Sequence, residues 1–351
     1  GDTIFNYIKE EIKNPEEILN SFHGTVRDTL SIVGIPKRGE TFIFDIHNVP
    51  YYGDKNTVGV RGIKPKNGTT WGHTFFTADW CSDDGTATLF VRNLTGLNKD
   101  YALLFRGGVN HIQSLGFKIG KILMDREFFN IEVITEAERL NIKFIMPAKV
   151  NRKIKEMLKE HERNKGLVPG ILHYQFGKKN KPEGPLFSLV VIPNPAYDAN
   201  KPEKNGNYKF HLFATNIEYT IVEEFIKSVP EEYRKRWNIE TGYRVKNLFK
   251  IKTCSTSYIV RLYFFIIECV MHNFLNLQKR ILAITANQLK TLISEDIKNY
   301  LQNGTLKSDI SLSAFYIKFD EFNKKRKYEF ERYISTPPFN LNPYPNLTGY
   351  G

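Results

Sequence analysis

The stretch Thr41-Phe-Ile-Phe-Asp45-Ile-His47 is apolar on both faces and carries an acid near its end. A strand covered on both sides by other layers reads this way, so the segment is expected at the centre of a sheet. Asp45 and His47 share one face by the two-residue alternation of a strand. Lys121-Ile-Leu-Met-Asp125 repeats the arrangement, again apolar and again ending in an acid. Between the two lie a loop rich in Gly, Lys and Arg (Gly59 to Gly68, with Arg61, Lys64 and Lys66) and two further strand candidates, His73 to Trp80 and Thr86 to Arg92. The Asp83-Asp84-Gly85 turn predicts a hairpin between those strands. A helix is expected from Tyr101 to Leu115, a second from Phe128 to Leu140, and a short strand from Lys143 to Met146. The order β-β-β-α-β-α-β predicts an α/β fold. Both strand-terminal acids would stand at one sheet edge, where such sheets gather ligands.

Working outward, residues 1–40 read as a short helical lead-in, with Pro15 opening a second helix after Asn14. Residues 150–227 break the alternating pattern. A charged helix, Arg152 to Lys165, precedes strand candidates Ile171 to Phe176, Phe187 to Ile192 and Tyr208 to Ala214. Pro-, Gly-, Asn- and Lys-rich turns separate them, so the segment reads as a β-rich insertion. Next comes Tyr233-Arg-Lys-Arg-Trp-Asn-Ile-Glu240-Thr-Gly-Tyr-Arg-Val-Lys246, which reads as a helix. Ser228 and Glu231 have capping-box spacing, and Pro230 suits a first turn. Tyr233, Arg236, Glu240 and Arg244 then share one face, placing a carboxylate between cations and an aromatic. The bland alternative is a solvated face laced with ion pairs. Gly242 is discordant, since glycine costs about 1 kcal/mol against alanine in a helix.

Tyr258 to about Arg280 is a long apolar helix, and another is expected from about Asn287 to Leu301. Arg261, Glu268, His272 and Asn273 interrupt the apolar run, so a buried core helix is expected there rather than a membrane span. The stretch from Asp320 to Arg332 is charged, and the last residues, from Pro337, read as an extended arm.

The net charge is +12 and the isoelectric point about 9.3. The excess sits inside folded segments: Arg152 to Lys181 holds nine Lys/Arg against three Glu, and Lys227 to Lys252 eight against three. Basic patches of this kind point to a nucleic-acid partner, with a solvated cationic surface as the alternative. Cys81, Cys254 and Cys269 are too scattered for a disulfide framework or a zinc site, which fits a reducing compartment. No signal peptide is seen, and Gly1 in place of Met suggests a trimmed N-terminus.

Three acids stand out: Asp45, Asp125 and Glu240. Hard oxygen donors of this kind suit Mg²⁺, which is commonly held by one or two carboxylates together with water and substrate phosphates. Two such ions about 4 Å apart can activate an attacking oxygen and stabilise a leaving one. Singly, each acid has another reading: Asp45 as a turn residue, Asp125 as a helix cap, Glu240 as an ion-pair partner.

These residues resemble a known family, the DDE transposases of prokaryotic insertion sequences, in the branch marked by a Tyr-x2-Arg-x3-Glu-x6-Lys signature. Tyr233, Arg236 and Glu240 match at the right spacing; the Lys position falls on Asn247, with Lys246 one residue early. Asp125-Arg-Glu-Phe-Phe129 resembles the motif around the second acid, and Asp45 fits the first. The run from Arg236 to Val245, followed by an aromatic-rich helix, looks especially like archaeal members. The resemblance spans about residues 40–280. It implies a ribonuclease H-like mixed sheet flanked by helices, with a β-rich insertion before the catalytic Glu helix. The core would run over 41–149 and 228–302, the insertion over 150–227, and a C-terminal extension over 303–351. It also implies Mg²⁺-dependent cutting and joining of double-stranded DNA at transposon ends and into target DNA, with Mn²⁺ able to substitute. In that reading Asp45, Asp125 and Glu240 are catalytic and hold the metal, the protein pairs ends as a homodimer, and it works in the cytoplasm near the nucleoid, away from membranes.

Tyr233, Arg236, Trp237, Arg244 and Lys246 are then candidate DNA contacts, joined by Lys178, Lys179 and Lys181 of the insertion. Trp237 could stack on an extruded base or face the core. His47 could approach metal or phosphate, or be a satisfied strand-end histidine. The Gly59–Gly68 loop could track DNA backbone or simply be exposed. A domesticated nuclease that cuts without joining, and a non-catalytic DNA-binding derivative, are the competing functions.

Overall fold

The computed structural model describes residues 8, 10–12, 14–36, 38–82, 85–94, 100–178, 181–201, 208–236, 251 and 253–282. The chain divides into two compact units, residues 35–242 and residues 1–34 with 243–351.

In the first unit nine strands form one sheet among the described residues. They are β1 (Glu40–Pro50), β2 (Val60–Lys66), β3 (Thr69–Ser82), β4 (Gly85–Leu94), β5 (Ile119–Met124), β6 (Phe144–Pro147), β7 (Gly170–Lys178), β8 (Lys181–Pro193) and β9 (Phe210–Thr215). β1 runs antiparallel to β3 and parallel to β5, and β5 parallel to β6. β4 and β2 both pair with β3. The sheet is therefore mixed. Phe42, Ile43 and Phe44 are completely buried, as a central strand requires. The two strands read as ending in acids lie side by side at the centre, but only β5 stops before its acid; β1 runs on past Asp45 to Pro50, held by its pairing with β3.

Helices flank this sheet: α2 (Tyr101–Ser114), α3 (Ile131–Arg139), α4 (Arg152–Lys165) and α5 (Val222–Arg234). Asp100, Asn130 and Asn151 cap α2, α3 and α4, each accepting a bond from a backbone N–H of the first turn, which satisfies donors the helix itself cannot. Gly108 brings α2 down onto the sheet: a Cβ there would stand 2.9 Å from the Phe44 ring. Phe44, Phe76 and Phe105 pack edge to face beneath it. Glu136 of α3 accepts bonds from both Arg106 of α2 and Arg139, so the two helices are joined by a buried carboxylate.

Several expectations need correction. The segment read as a loop from Gly59 to Gly68 contains β2, so four strands precede α2; its register against β3 shifts between Gly62 and Lys66, and the irregular pairing hides the alternation. The expected helix from Phe128 splits into a 3₁₀ turn, Arg126–Phe128, and α3. The three strands expected within residues 150–227 form, and β9 pairs with β6, β8 with β9 and β7 with β8, all antiparallel, in the same sheet. The capping box at Ser228 is not formed. α5 begins seven residues earlier, with Ile221 rather than Ser228 before its first turn, and the Ser228 hydroxyl donates to the Phe225 carbonyl within the helix. Pro230 therefore lies inside α5 rather than in its first turn. The helix closes at Arg234, with Lys235 as its C-cap.

The second unit contains α1 (Pro15–Val33) and α6 (Tyr258–Leu282). Asn14 accepts from the Glu16 N–H at 3.0 Å and starts α1, which is longer than the short helix expected. Ile18, Leu19, Phe22, Val26 and Leu30 form its buried stripe, and Val260 and Phe264 of α6 pack with Ile8. α6 is long and apolar enough to cross a membrane, yet 67% of its most apolar stretch, Tyr258–Asn276, is buried in protein, as a core helix would be. The helix expected from Asn287, the charged stretch from Asp320 and the C-terminal arm lie outside the described residues.

Candidate active site

Phe44 pairs with Met124 across the parallel β1–β5 ladder. Asp45 is the next residue of β1 and Asp125 the first residue past β5, so the two acids stand as neighbours. β1 continues, and Asp45 is held in register opposite Thr77 of β3. β5 ends, and the Asp125 carboxylate turns to accept from the Arg126 N–H at 2.7 Å, capping the 3₁₀ turn. The capping role and the placement beside Asp45 are thus compatible. Asp45 is 6% exposed; the Asp125 side chain is one-third exposed.

Both carboxylates meet Arg236. Its Nη2 lies 3.1 Å from Asp45 Oδ1 and 3.7 Å from Asp125 Oδ1. Two acids on different strands therefore converge on one nitrogen. The guanidinium is largely buried, and burial works against its charge. The field of Asp45, then that of Tyr233 and Asp125, outweighs burial and holds its pKa above the usual range. Tyr233 is the second support: its ring lies 5.9 Å from the guanidinium carbon, its hydroxyl donates to the Met124 carbonyl at 3.3 Å, and it packs on Phe213.

The position of α5 follows from its charges. Glu232 bridges Lys121 of β5 at 2.5 Å and Lys235 at 3.1 Å. Burial pushes the Glu232 carboxyl upward, but the two ammonium groups hold it below the usual carboxylate range.

Around this centre Glu127 links to Lys64 of β2 at 3.1 Å and accepts from the Tyr101 hydroxyl at 3.0 Å. Burial, reinforced by Glu127, pushes the Tyr101 phenol well above its ordinary value. Lys149 stands nearby, its ammonium pushed below the ordinary value chiefly by burial, against the pull of Glu127. The sequence showed Glu127 inside the Asp125–Phe129 motif, but nothing in the spacing revealed its partners.

Asp45, Asp125, Tyr233 and Arg236 are brought together. Trp237, Glu240, Arg244, Lys246 and Lys179 lie outside the described residues. Lys178 and Lys181 are paired at the end of the β7–β8 hairpin. His47 sits on β1 two residues beyond Asp45, half-buried and opposite Phe75. The pairing of Arg236 with the acids was not anticipated from sequence. That reading aimed the arginine at phosphate, because helical periodicity shows only neighbours on the same helix.

The donor set suits a divalent cation. Two carboxylates already share one positive group, and oxygen donors of this kind favour hard ions. Among the described residues no group of three or more His, Cys, Asp and Glu gathers in one place. A third ligand would have to come from elsewhere, and Glu240 is the sequence candidate.

Residues 104–274 match the family model described as the transposase DDE domain. The matched stretch is a little under half of the chain and shows a likeness to that family. No curated protein matches this chain. Among solved structures, the piggyBac transposase in a synaptic complex with hairpin DNA is similar at a TM-score of 0.51 and 14% identity, over 86% of this chain and 57% of that one. The chain thus spans little more than half of that structure's length, and the likeness concerns the fold alone, a mixed sheet flanked by helices. Endonuclease V from Bacillus subtilis (TM-score 0.26, 11% identity, 75% of this chain and 94% of that one) and the NurA nuclease from Sulfolobus solfataricus (0.28, 12%, 65% and 79%) are more distant.

Proposed function

We propose that this chain, whose residues 104–274 match the transposase DDE domain, is a transposase that cuts DNA at insertion-sequence ends and joins it to a target. The observation that carries the reading is the convergence of Asp45 and Asp125, from adjacent parallel strands, on a single cation. Asp45, Asp125 and Glu240 are the residues that would hold divalent metal, Mg²⁺ in this reading. When bound, such ions lower the pKa of an attacking water and neutralise charge on the leaving oxygen. The chain's own share is positional. The β1–β5 register sets the two acids side by side, the N–H of Arg126 fixes one carboxylate, and Tyr233 and Arg236 fix the approach of α5.

DNA is the proposed partner, contacted by Tyr233, Arg236, Arg244 and Lys246 and by Lys178, Lys179 and Lys181, with Trp237 as a base-stacking candidate, in an assembly of two protomers on paired ends. Residues 150–227 are proposed as an insertion that lengthens the sheet toward DNA. Two packing contacts support this: Phe176 of β7 meets Phe129, four residues after Asp125, and Gly184 of β8 lies against Ile131.

Metal-dependent nicking of supercoiled plasmid tests the reading. The parent should nick with Mg²⁺ or Mn²⁺, and Asp45→Asn should not. Firm DNA binding without nicking under either ion would favour a non-catalytic binding protein instead.

A further inference from the structure

Next to the acidic pair lies a cleft of about 700 Å³ between α4, β9 and the segment that follows β6. Nothing in the reading above uses it. Arg126, which follows Asp125, and Tyr233, which touches the carbonyl before Asp125, both line it. The cleft therefore adjoins the acids through these two residues, while the carboxylates themselves lie outside its lining.

Its walls are cationic. Besides Arg126 they present Lys149, Lys155, Lys159 and Lys209, against a single acid, Glu162. Glu162 is already committed to Lys209 at 2.7 Å. Lys155 and Lys159 are exposed, one turn apart on α4, and pair with no carboxylate among the described residues. Like charges at this spacing weaken a helix slightly, so the fold gains nothing from them. Lys149 is further disfavoured by burial and by the charges of Arg126 and Lys64. Five cations against one lining acid, two of them exposed lysines without a carboxylate partner among the described residues, suit a polyanion.

The remaining surface is aromatic. Phe213 and Tyr233 line the cleft, and Tyr208, 39% exposed, stands on it. A charged groove along a backbone, with aromatic rings for bases, is the usual way a single nucleic-acid strand is held. The volume falls in the range of small-molecule pockets, enough for a few nucleotides and too little for a duplex.

We propose that this cleft binds one strand of DNA a few nucleotides long, running away from the cleavage centre, with phosphates on Lys149, Lys155 and Lys159 and a base against Tyr208. The inference rests on the transposase reading and adds to it a single-strand site on the side of the sheet built by α4 and β9.

The test uses the full chain in chelator, so that no cutting occurs. Binding of a labelled single-stranded oligonucleotide and of the duplex of the same sequence is followed by fluorescence anisotropy across a salt titration. For Lys155→Gln/Lys159→Gln, single-strand affinity should fall tenfold or more, with the log–log salt slope flattened by about 0.7 per lost phosphate contact. Duplex affinity should change less than threefold. Tyr208→Ala should lower single-strand affinity without changing the slope, because stacking releases no counterions. Single-strand binding by the double variant equal to the parent's, or an equal loss on both DNA forms, would overturn the assignment. A parent that nicks plasmid while the double variant binds single strand normally condemns the cleft alone. A parent that neither binds DNA nor nicks it overturns the transposase reading and the cleft together.

Discussion

Arg236 and Asp45, 191 residues apart in the chain, meet at 3.1 Å, and the same guanidinium nitrogen reaches Asp125 at 3.7 Å. The arginine serves as the shared counter-charge of two carboxylates that would otherwise repel. Removing one partner of a buried ion pair typically costs about 3–5 kcal/mol, because the charge left behind has no compensation. Arg236→Gln should therefore melt well below the parent in chelator. Mg²⁺ or Mn²⁺ should then restore more stability to the variant than to the parent, since only the variant has two uncompensated acids. Thermal melts of both proteins with and without metal check this. Equal metal-induced shifts would mean that the acids do not depend on the arginine.

Asp125 has two tasks, and substitutions can separate them. Its carboxylate caps the 3₁₀ turn through the Arg126 N–H, and asparagine caps nearly as well as aspartate. Asp125→Asn should keep the stability of the fold while abolishing nicking, and DNA binding should persist or strengthen because an anion has left a phosphate-facing surface. Asp125→Ala should lose nicking and also about 1 kcal/mol of stability. Asp45→Asn and Glu240→Gln should likewise abolish nicking while sparing binding. Melting curves beside plasmid nicking and binding assays distinguish the cases; residual nicking by Asp125→Asn would remove it from the chemistry.

A pH-dependent term sits away from the site, at Glu136. Its hydrogen bonds from Arg139 and Arg106, opposed by burial, hold the carboxyl down to about 2, against an ordinary 4.5. A carboxyl depressed in the folded state contributes stability above its unfolded pKa and loses it as pH falls toward the folded value. The parent should thus lose this contribution between about pH 4.5 and 2. Glu136→Gln should be less stable at neutral pH and should lose less on acidification through that window. Denaturant midpoints from pH 7 to pH 2 give the comparison. A parallel pair of pH profiles would show that the α2–α3 bridge carries no linkage.

The strands that carry the acids, β1 and β5, were legible because burial on both faces leaves a continuous apolar run, and Phe42 to Phe44 and Ile122 to Met124 are such runs. Their parallel adjacency follows from the intervening α2, which supplies the crossover that parallel strands need. β2 was not legible, since its pairing breaks register between Gly62 and Lys66 and its composition is that of a loop. The start of α5 was missed because Ile221 offers no side-chain cap, while Ser228 and Glu231 imitate one farther along. Asp45, Asp125, Tyr233 and Arg236 were visible as chemistry-bearing residues, but the contact among them is set by tertiary docking of α5 onto β5 through Glu232 and Lys121. The cleft beside them was invisible for the same reason: α4, β9 and Arg126 come together only in three dimensions.

The β7–β8 hairpin gives the last prediction. Lys178 and Lys181 pair at its end, and Lys179 falls between them in sequence. The hairpin is anchored close to the acids, through Phe176 and Phe187 against Phe129. That anchoring is the reason to expect its lysines near DNA held at the acids, where cations would fix backbone register without reading sequence. Replacing all three with Gln should weaken binding to transposon-end duplex and flatten its salt slope by about 0.9 per lost phosphate contact. The loss should be similar for unrelated duplexes, because phosphate contacts carry no sequence information. It should also differ from the effect of Lys155→Gln/Lys159→Gln, which is expected on single strands. Duplex affinity and salt slope equal to the parent's would assign the hairpin to folding or to contacts between protomers rather than to DNA.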